Sequence, residues 1–257
     1  MGQGVQGLAT ESKIDALGQF ELHTALGPIG RSVNFTQSNL MMIIAAGLVL
    51  AMLAYGMRAR AVVPGRMQAL AEIAYSGIMS MAVGSIGPEG RRYFPFIFAI
   101  FFFVLMGNLL GLFPYSFTYT SHIAVTFGLA FLVICVVTIV AIAIHGLHFF
   151  TYFMPVGAPK VLAPLIIPIE IISYLSRPVS LSIRLFANMV AGHVMFEVFA
   201  TFAVLLAGAG AIGTVAGIVP MVLNVVLVGF ELLVAALQAY VFAILTCIYL
   251  HDAVHLH

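Results

Sequence analysis

The sequence predicts an all-α polytopic membrane protein with about five crossings plus an interfacial helix. Three observations predict it. Of the 257 residues, 63% are hydrophobic and only 7% charged, far outside the make-up of a soluble domain. Apolar runs recur at the length a bilayer requires, about 20 residues for a perpendicular helix. The charges lie mostly between those runs, with arginine concentrated in one loop. A formal net charge of +1 without any block of like charge gives no basis for nucleic-acid binding or a polybasic lipid patch.

The elements follow in order. Residues 1–39 form a polar segment whose start, MGQGVQGLATESKIDALGQFELH, lacks a basic stretch followed by an apolar core, so a cleaved signal peptide is not expected. MGQGVQ is a poor acylation signal, because Gln6 stands where Ser or Thr is wanted. Leu40 to Met57, Tyr93 to Phe113 and Ile123 to Ile144 are single spans. Met67 to Ile86 is less apolar and contains Glu72. It reads as an interfacial or re-entrant helix, since a further crossing would split the arginines between the two sides. Val161 to Ala207 and Val215 to Leu250 each exceed one perpendicular crossing, so each must tilt steeply in a core about 30 Å thick. The joint AGAGAIGTVAG, Ala207 to Gly217, reads as a hairpin turn. Pro168 and Pro178 are expected to bend their helix without ending it. One membrane domain results: residues 1–39 outside, 40–160 as peripheral spans and loops, and 161–250 as a tilted hairpin.

Orientation follows from Lys and Arg. Arg58, Arg60, Arg66, Arg91 and Arg92 follow the first span, Lys160 lies in a later loop, and PYSFTYTSH (Pro114 to His122) has neither residue type. The positive-inside rule makes the first two loops cytoplasmic, places the N-terminus outside and the C-terminus inside, and leaves Lys13 and Arg31 as minor exceptions.

Helical spacing at about 100° per residue assigns faces. Ser173, Arg177, Ser180, Arg184 and Asn188 recur at steps of three or four and form one polar stripe, with Glu170 on its extension. His193 comes nine residues after Arg184 and therefore points the opposite way, sharing its side with Glu197. Asn224, Glu231 and Gln238 recur every seven residues along one line of the last helix. The two long helices thus read as partners that share polar faces.

Most polar residues have a plain structural reading. Ser173, Ser180 and Asn224 suit hydrogen bonds between helices; Glu72, Glu89 and the loop arginines suit solvated topology signals. His145, His148, His251, His255 and His257 sit at span ends or the tail, where snorkelling accounts for them, and His145 with His148 lacks the further ligands of a metal site. Cys135 and Cys247 lie inside apolar segments as small buried side chains. Arg184, His193 and Glu231 resist such a reading. An ionisable group at mid-bilayer depth costs at least about 2.5 kcal/mol and persists where it faces water, a partner charge or a pathway. Arginine stays charged on burial, whereas histidine and glutamate exchange protons near neutral pH once perturbed. The chemistry indicated is proton transfer beside a fixed positive charge.

With EIISYLSRP before it and ELLVAALQAYVFAILTCIYL after it, SLSIRLFANMVAGH resembles subunit a of the F-type ATP synthase, the membrane stator of a proton-driven rotor. QFELH and NLLGLFPYSFTYTSH extend the likeness over nearly the whole chain. The resemblance implies a tilted hairpin packed against a ring of multicopy two-helix c subunits, and peripheral-stalk b-type subunits as further partners in the lipid bilayer. It places the family's essential arginine on Arg184, its amides on Asn188 and Gln238, and its cytoplasmic carboxylate on Glu170 with Ser173 nearby. Compared with many bacterial members, His193 and Glu231 are exchanged, which keeps one acid and one imidazole. Asn108 matches a polar position of the second span, for which packing is an equal reading.

The resemblance further implies that protons enter from outside through a half-channel lined by His193, Glu231 and Asn108, ride on a ring carboxylate and leave near Glu170 and Ser173, with Arg184 blocking direct passage. The chain is then not catalytic alone. It has no GxxxxGK[ST] loop, and no cofactor or metal is expected. An independent proton-coupled transporter is the alternative, but such proteins usually show two similar halves, and none is visible. A bacterial plasma (inner) membrane is favoured over the mitochondrial inner membrane.

Overall fold

The computed structural model describes residues 36–58, 65–112, 118–146 and 162–255. Expectations for the N-terminal segment, Arg60, His148, Lys160 and Pro114 fall outside these residues. Six α-helices dominate: α1 Gln37–Arg58, α2 Arg66–Ile86, α3 Gly90–Gly111, α4 Ile123–His145, α5 Ala163–Ala207 and α6 Ala211–Val254, with a short 3-10 turn at Tyr119–Ser121 between α3 and α4. Helices satisfy most of their backbone groups within the segment, which is what hydrocarbon demands of a crossing element.

All six helices are long and apolar enough to cross a membrane by length and composition, so α2 qualifies by that measure too. What sets α2 apart is the exposed Gln68–Glu72 bond of 2.8 Å near its start. Its other side, Ala71, Ile78, Ala82 and Ile86, is buried. Gly87, at φ 94°, turns the chain sharply from α2 toward α3, a left-handed conformation that favours glycine.

The two long helices run 45 and 44 residues, or roughly 66 Å each at 1.5 Å per residue, twice the hydrocarbon thickness. Pro168 and Pro178 lie inside α5 without ending it, and Pro220 does the same in α6. The hairpin turn is shorter than its glycine content suggests. Only Gly208 to Gly210 separates the helices, and the remaining glycines serve packing: a side chain on Gly213 would strike the carbonyl of Leu206, and one on Gly217 would come 3.0 Å from that of Ala203. Small residues let the two backbones approach closely.

The core gathers around the C-terminal half of α6. Ala235, Ala239 and Ala243 are fully buried at four-residue spacing, with Phe242, Cys247 and Leu250 beside them. Phe98 and Phe102 of α3, Val133 and Val137 of α4, and Leu181 and Leu185 of α5 complete the cluster. The opposite surfaces of α5 and α6 stay apolar and exposed, including Ile172, Val179, Val225 and Leu233. In a membrane chain such surfaces meet lipid or a partner helix.

Candidate functional site

Polar groups link α5 and α6 at regular intervals. Asn224 Nδ2 donates to the Phe196 carbonyl at 3.3 Å, and Asn188 Nδ2 donates to Gln238 Oε1 at 3.0 Å. Between these two cross-links the Glu231 carboxylate lies against Gly192, whose missing side chain leaves the space the carboxylate fills. Toward the C-terminal end Arg177 Nη1 donates to Asp252 Oδ2 at 3.4 Å, and its guanidinium stands over the rings of Tyr174 and Tyr249. The seven-residue spacing on α6 therefore faces α5 throughout.

Glu231 is 5% exposed, and its Oε1 is buried without a hydrogen-bond partner among the described residues. A buried, unbonded carboxyl oxygen is expensive for a merely structural group. On α5, in the residue after Gly192, His193 Nε2 lies 2.9 Å from Thr118 Oγ1. Asn108, fully buried on α3, accepts from Thr120 Oγ1 at 3.0 Å and reaches the Ala235 carbonyl at 3.5 Å. The turn Thr118 to Ser121 thus meets both His193 and Asn108, and Asn108 reaches α6 one helical turn after Glu231.

That turn is built locally. The Thr118 carbonyl accepts from both the backbone N–H and the hydroxyl of Ser121, and Tyr119 anchors it by donating to the Phe103 carbonyl at 2.6 Å. Burial pushes the Tyr119 phenol well above its ordinary range, so it remains a neutral donor. Glycine again makes room: side chains at Gly107 and Gly111 would collide with Tyr119 and Thr118. Thr118, Thr120 and Ser121 went unassigned in the sequence, where the only signals were the hydroxyl-rich run TYTS and the absence of Lys and Arg.

Arg184 lies elsewhere. It is exposed on the outer side of α5, in a stripe with Ser173, Ser176, Ser180, Ala187 and Ala191, all exposed. It makes no hydrogen bond or ion pair among the described residues, while Arg177 of the same stripe is turned inward by Asp252. The interhelical reading of the small polar residues holds for Asn224. Ser173 and Ser180 are exposed. Glu170 is half-buried near the start of α5, ~21 Å along the axis from Arg184, and is not brought together with His193 or Glu231. The described residues contain no cluster of three or more metal-ligating side chains.

A family model described as "ATP synthase A chain" matches residues 39–251. The chain belongs to that family. Proteins named ATP synthase subunit a share 72% identity over 97% of this chain and 100% of their own length in Granulibacter bethesdensis. In Gluconacetobacter diazotrophicus the figures are 64% over 96% and 99%, and in Gluconobacter oxydans 61% over the same shares. Subunit a is a membrane-sector (Fo) component of the F-type ATP synthase, concerned with proton transport and ATP synthesis, and the catalytic sites for ATP lie in the soluble sector.

Proposed function

We propose that this chain carries protons along two half-channels to and from carboxylates on a rotating c-ring, in a bacterial inner membrane with its N-terminus outside and C-terminus in the cytoplasm. The whole chain acts as one membrane domain, held also by b-type peripheral-stalk subunits. With α2 read as interfacial, Arg58, Arg66, Arg91 and Arg92 fall on one side of the membrane and support this orientation by the positive-inside rule.

The reading rests on one observation above the others: α5 presents opposite chemistry on its two sides. On the inner side His193 meets Thr118, the neighbouring Gly192 meets the buried Glu231 carboxylate, and Asn108 is held by Thr120 of the same turn as Thr118. The titratable members of that side can take and release a proton, and its hydroxyls and amides can hold water or pass hydrogen bonds along. On the outer side Arg184 is exposed among small residues that permit close approach of a partner helix. A fixed guanidinium there favours the ionised form of a passing carboxylate and repels a proton crossing directly. The inner site is the inlet. Glu170 and Ser173, which lie 14 and 11 residues from Arg184 toward the start of α5, line the outlet. Asn188 and Gln238, bonded to each other one turn from Arg184, hold the hairpin together where the two paths come nearest.

The test is ATP-driven proton uptake in inverted membrane vesicles carrying native chain or Arg184→Ala, at equal assembly. Loss of uptake with ATP hydrolysis retained is expected; normal uptake would falsify the coupling role of Arg184.

A further inference from the structure

We infer that Thr118 is a positioning residue for His193, fixing the imidazole through Nε2 so that the ring holds one orientation in the inlet path. This deepens the proposed inlet and rests on it.

Four observations carry the inference. The Thr118 hydroxyl lies 2.9 Å from His193 Nε2, within ordinary hydrogen-bond range. Thr118 is only 4% exposed, so water does not readily replace it at the ring. Its place is over-determined, because its carbonyl accepts twice from Ser121 and its side chain packs on Gly111. The neighbouring Thr120 holds Asn108 through Oδ1, so one short turn grips two polar residues of the inlet at once. A histidine's two nitrogens have different roles, and the bond made by one decides what the other is free to do. A hydroxyl is suited to Nε2 in either state, since it both donates and accepts.

The pH response of His193 also depends on the groups around it. These are Glu231 of α6 beside Gly192, Glu197 one turn further along α5, Tyr119 in the turn and His122 at the start of α4. Asn108 of α3 does not titrate. Thr118 Oγ1 lies within hydrogen-bond distance of Nε2, and its hydroxyl can be removed without altering any of these titratable groups.

The experiment measures ATP-driven proton uptake against pH in inverted vesicles carrying the assembled complex with native chain, Thr118→Val, Thr118→Ser, Thr118→Cys or His193→Ala. ATP hydrolysis and the amount of subunit in the membrane are followed in parallel. Thr118→Val keeps the shape and removes the hydroxyl; it is expected to slow uptake about tenfold and move the pH midpoint by about half a unit or more. Thr118→Ser should restore both quantities, and Thr118→Cys, with a weak donor and acceptor, should fall between. If Thr118→Val fails to assemble, the serine and cysteine variants decide on the pH midpoint alone. Native rate and midpoint in the valine and cysteine variants, with uptake lost in His193→Ala, would overturn the role of Thr118 and leave the inlet standing. Full uptake in His193→Ala would overturn both.

Discussion

Gly192 and Glu231 face each other across the hairpin so closely that a methyl group on Gly192 would overlap the Glu231 carboxylate. The absence of a side chain on one helix is thus what lets a buried acid stand on the other. Gly192→Ala should displace the carboxylate and cost about 1 to 3 kcal/mol of packing. The expected result is a substantial drop in ATP-driven proton uptake at near-normal amounts of subunit in the membrane. Gly192→Val should also lower the amount itself. Native uptake in Gly192→Ala would show that the carboxylate needs no fixed place.

The Asn188–Gln238 bond of 3.0 Å joins a half-buried Asn188 to a Gln238 that is 3% exposed. Replacing Gln238 by Leu leaves the Asn188 amide without its acceptor. Interhelical bonds of this kind are worth about 0.6 kcal/mol on average and up to about 1.7. Gln238→Leu and Asn188→Leu should each lower the thermal stability of the purified complex slightly, and the double variant should lose less than their sum. Strict additivity would mean the two amides do not act as a pair.

These relationships differ in how far the residues themselves announced them. The seven-residue line of Asn224, Glu231 and Gln238 could be placed on one face because helix geometry fixes angle from spacing alone, and that face does turn toward α5. The length of α5 through Pro168 and Pro178 was legible for the same reason: a long apolar run with no polar break gives a membrane helix nowhere to stop. Contacts between distant segments were not legible. Thr118 meets His193 from 75 residues away, and Asp252 meets Arg177 from the same separation, so neither pairing leaves a local pattern. Gly192 was hidden differently. In a chain with 24 glycines, a missing side chain carries no mark of the group it admits.

The Arg177–Asp252 bridge spans 3.4 Å with side chains 20% and 30% exposed. Partial solvation and the stacking of Arg177 on Tyr174 and Tyr249 limit what the carboxylate adds, since ion pairs near water are worth about 1 kcal/mol or less. Asp252→Asn should therefore shift the melting temperature of the complex by only a few degrees, whereas Arg177→Ala, which also removes the packing of its stem, should shift it further. An equal shift in both would place the whole effect in the charge pair.

Tyr119 gives a pH dependence whose sign is fixed by its burial. It is fully buried, donates to the Phe103 carbonyl and is held above the ordinary phenol value of 10.0. The folded state therefore favours the neutral phenol. Its contribution is fully present below pH ~10 and is lost as the pH rises from there toward the folded-state value, because the unfolded chain releases the proton first. Alkaline unfolding of the native chain in detergent should steepen above pH ~10. Tyr119→Phe should remove that part of the slope and, by losing one buried hydrogen bond, lower stability at neutral pH by about 1 kcal/mol. Parallel alkaline slopes for native chain and Tyr119→Phe would mean that another buried group governs the transition.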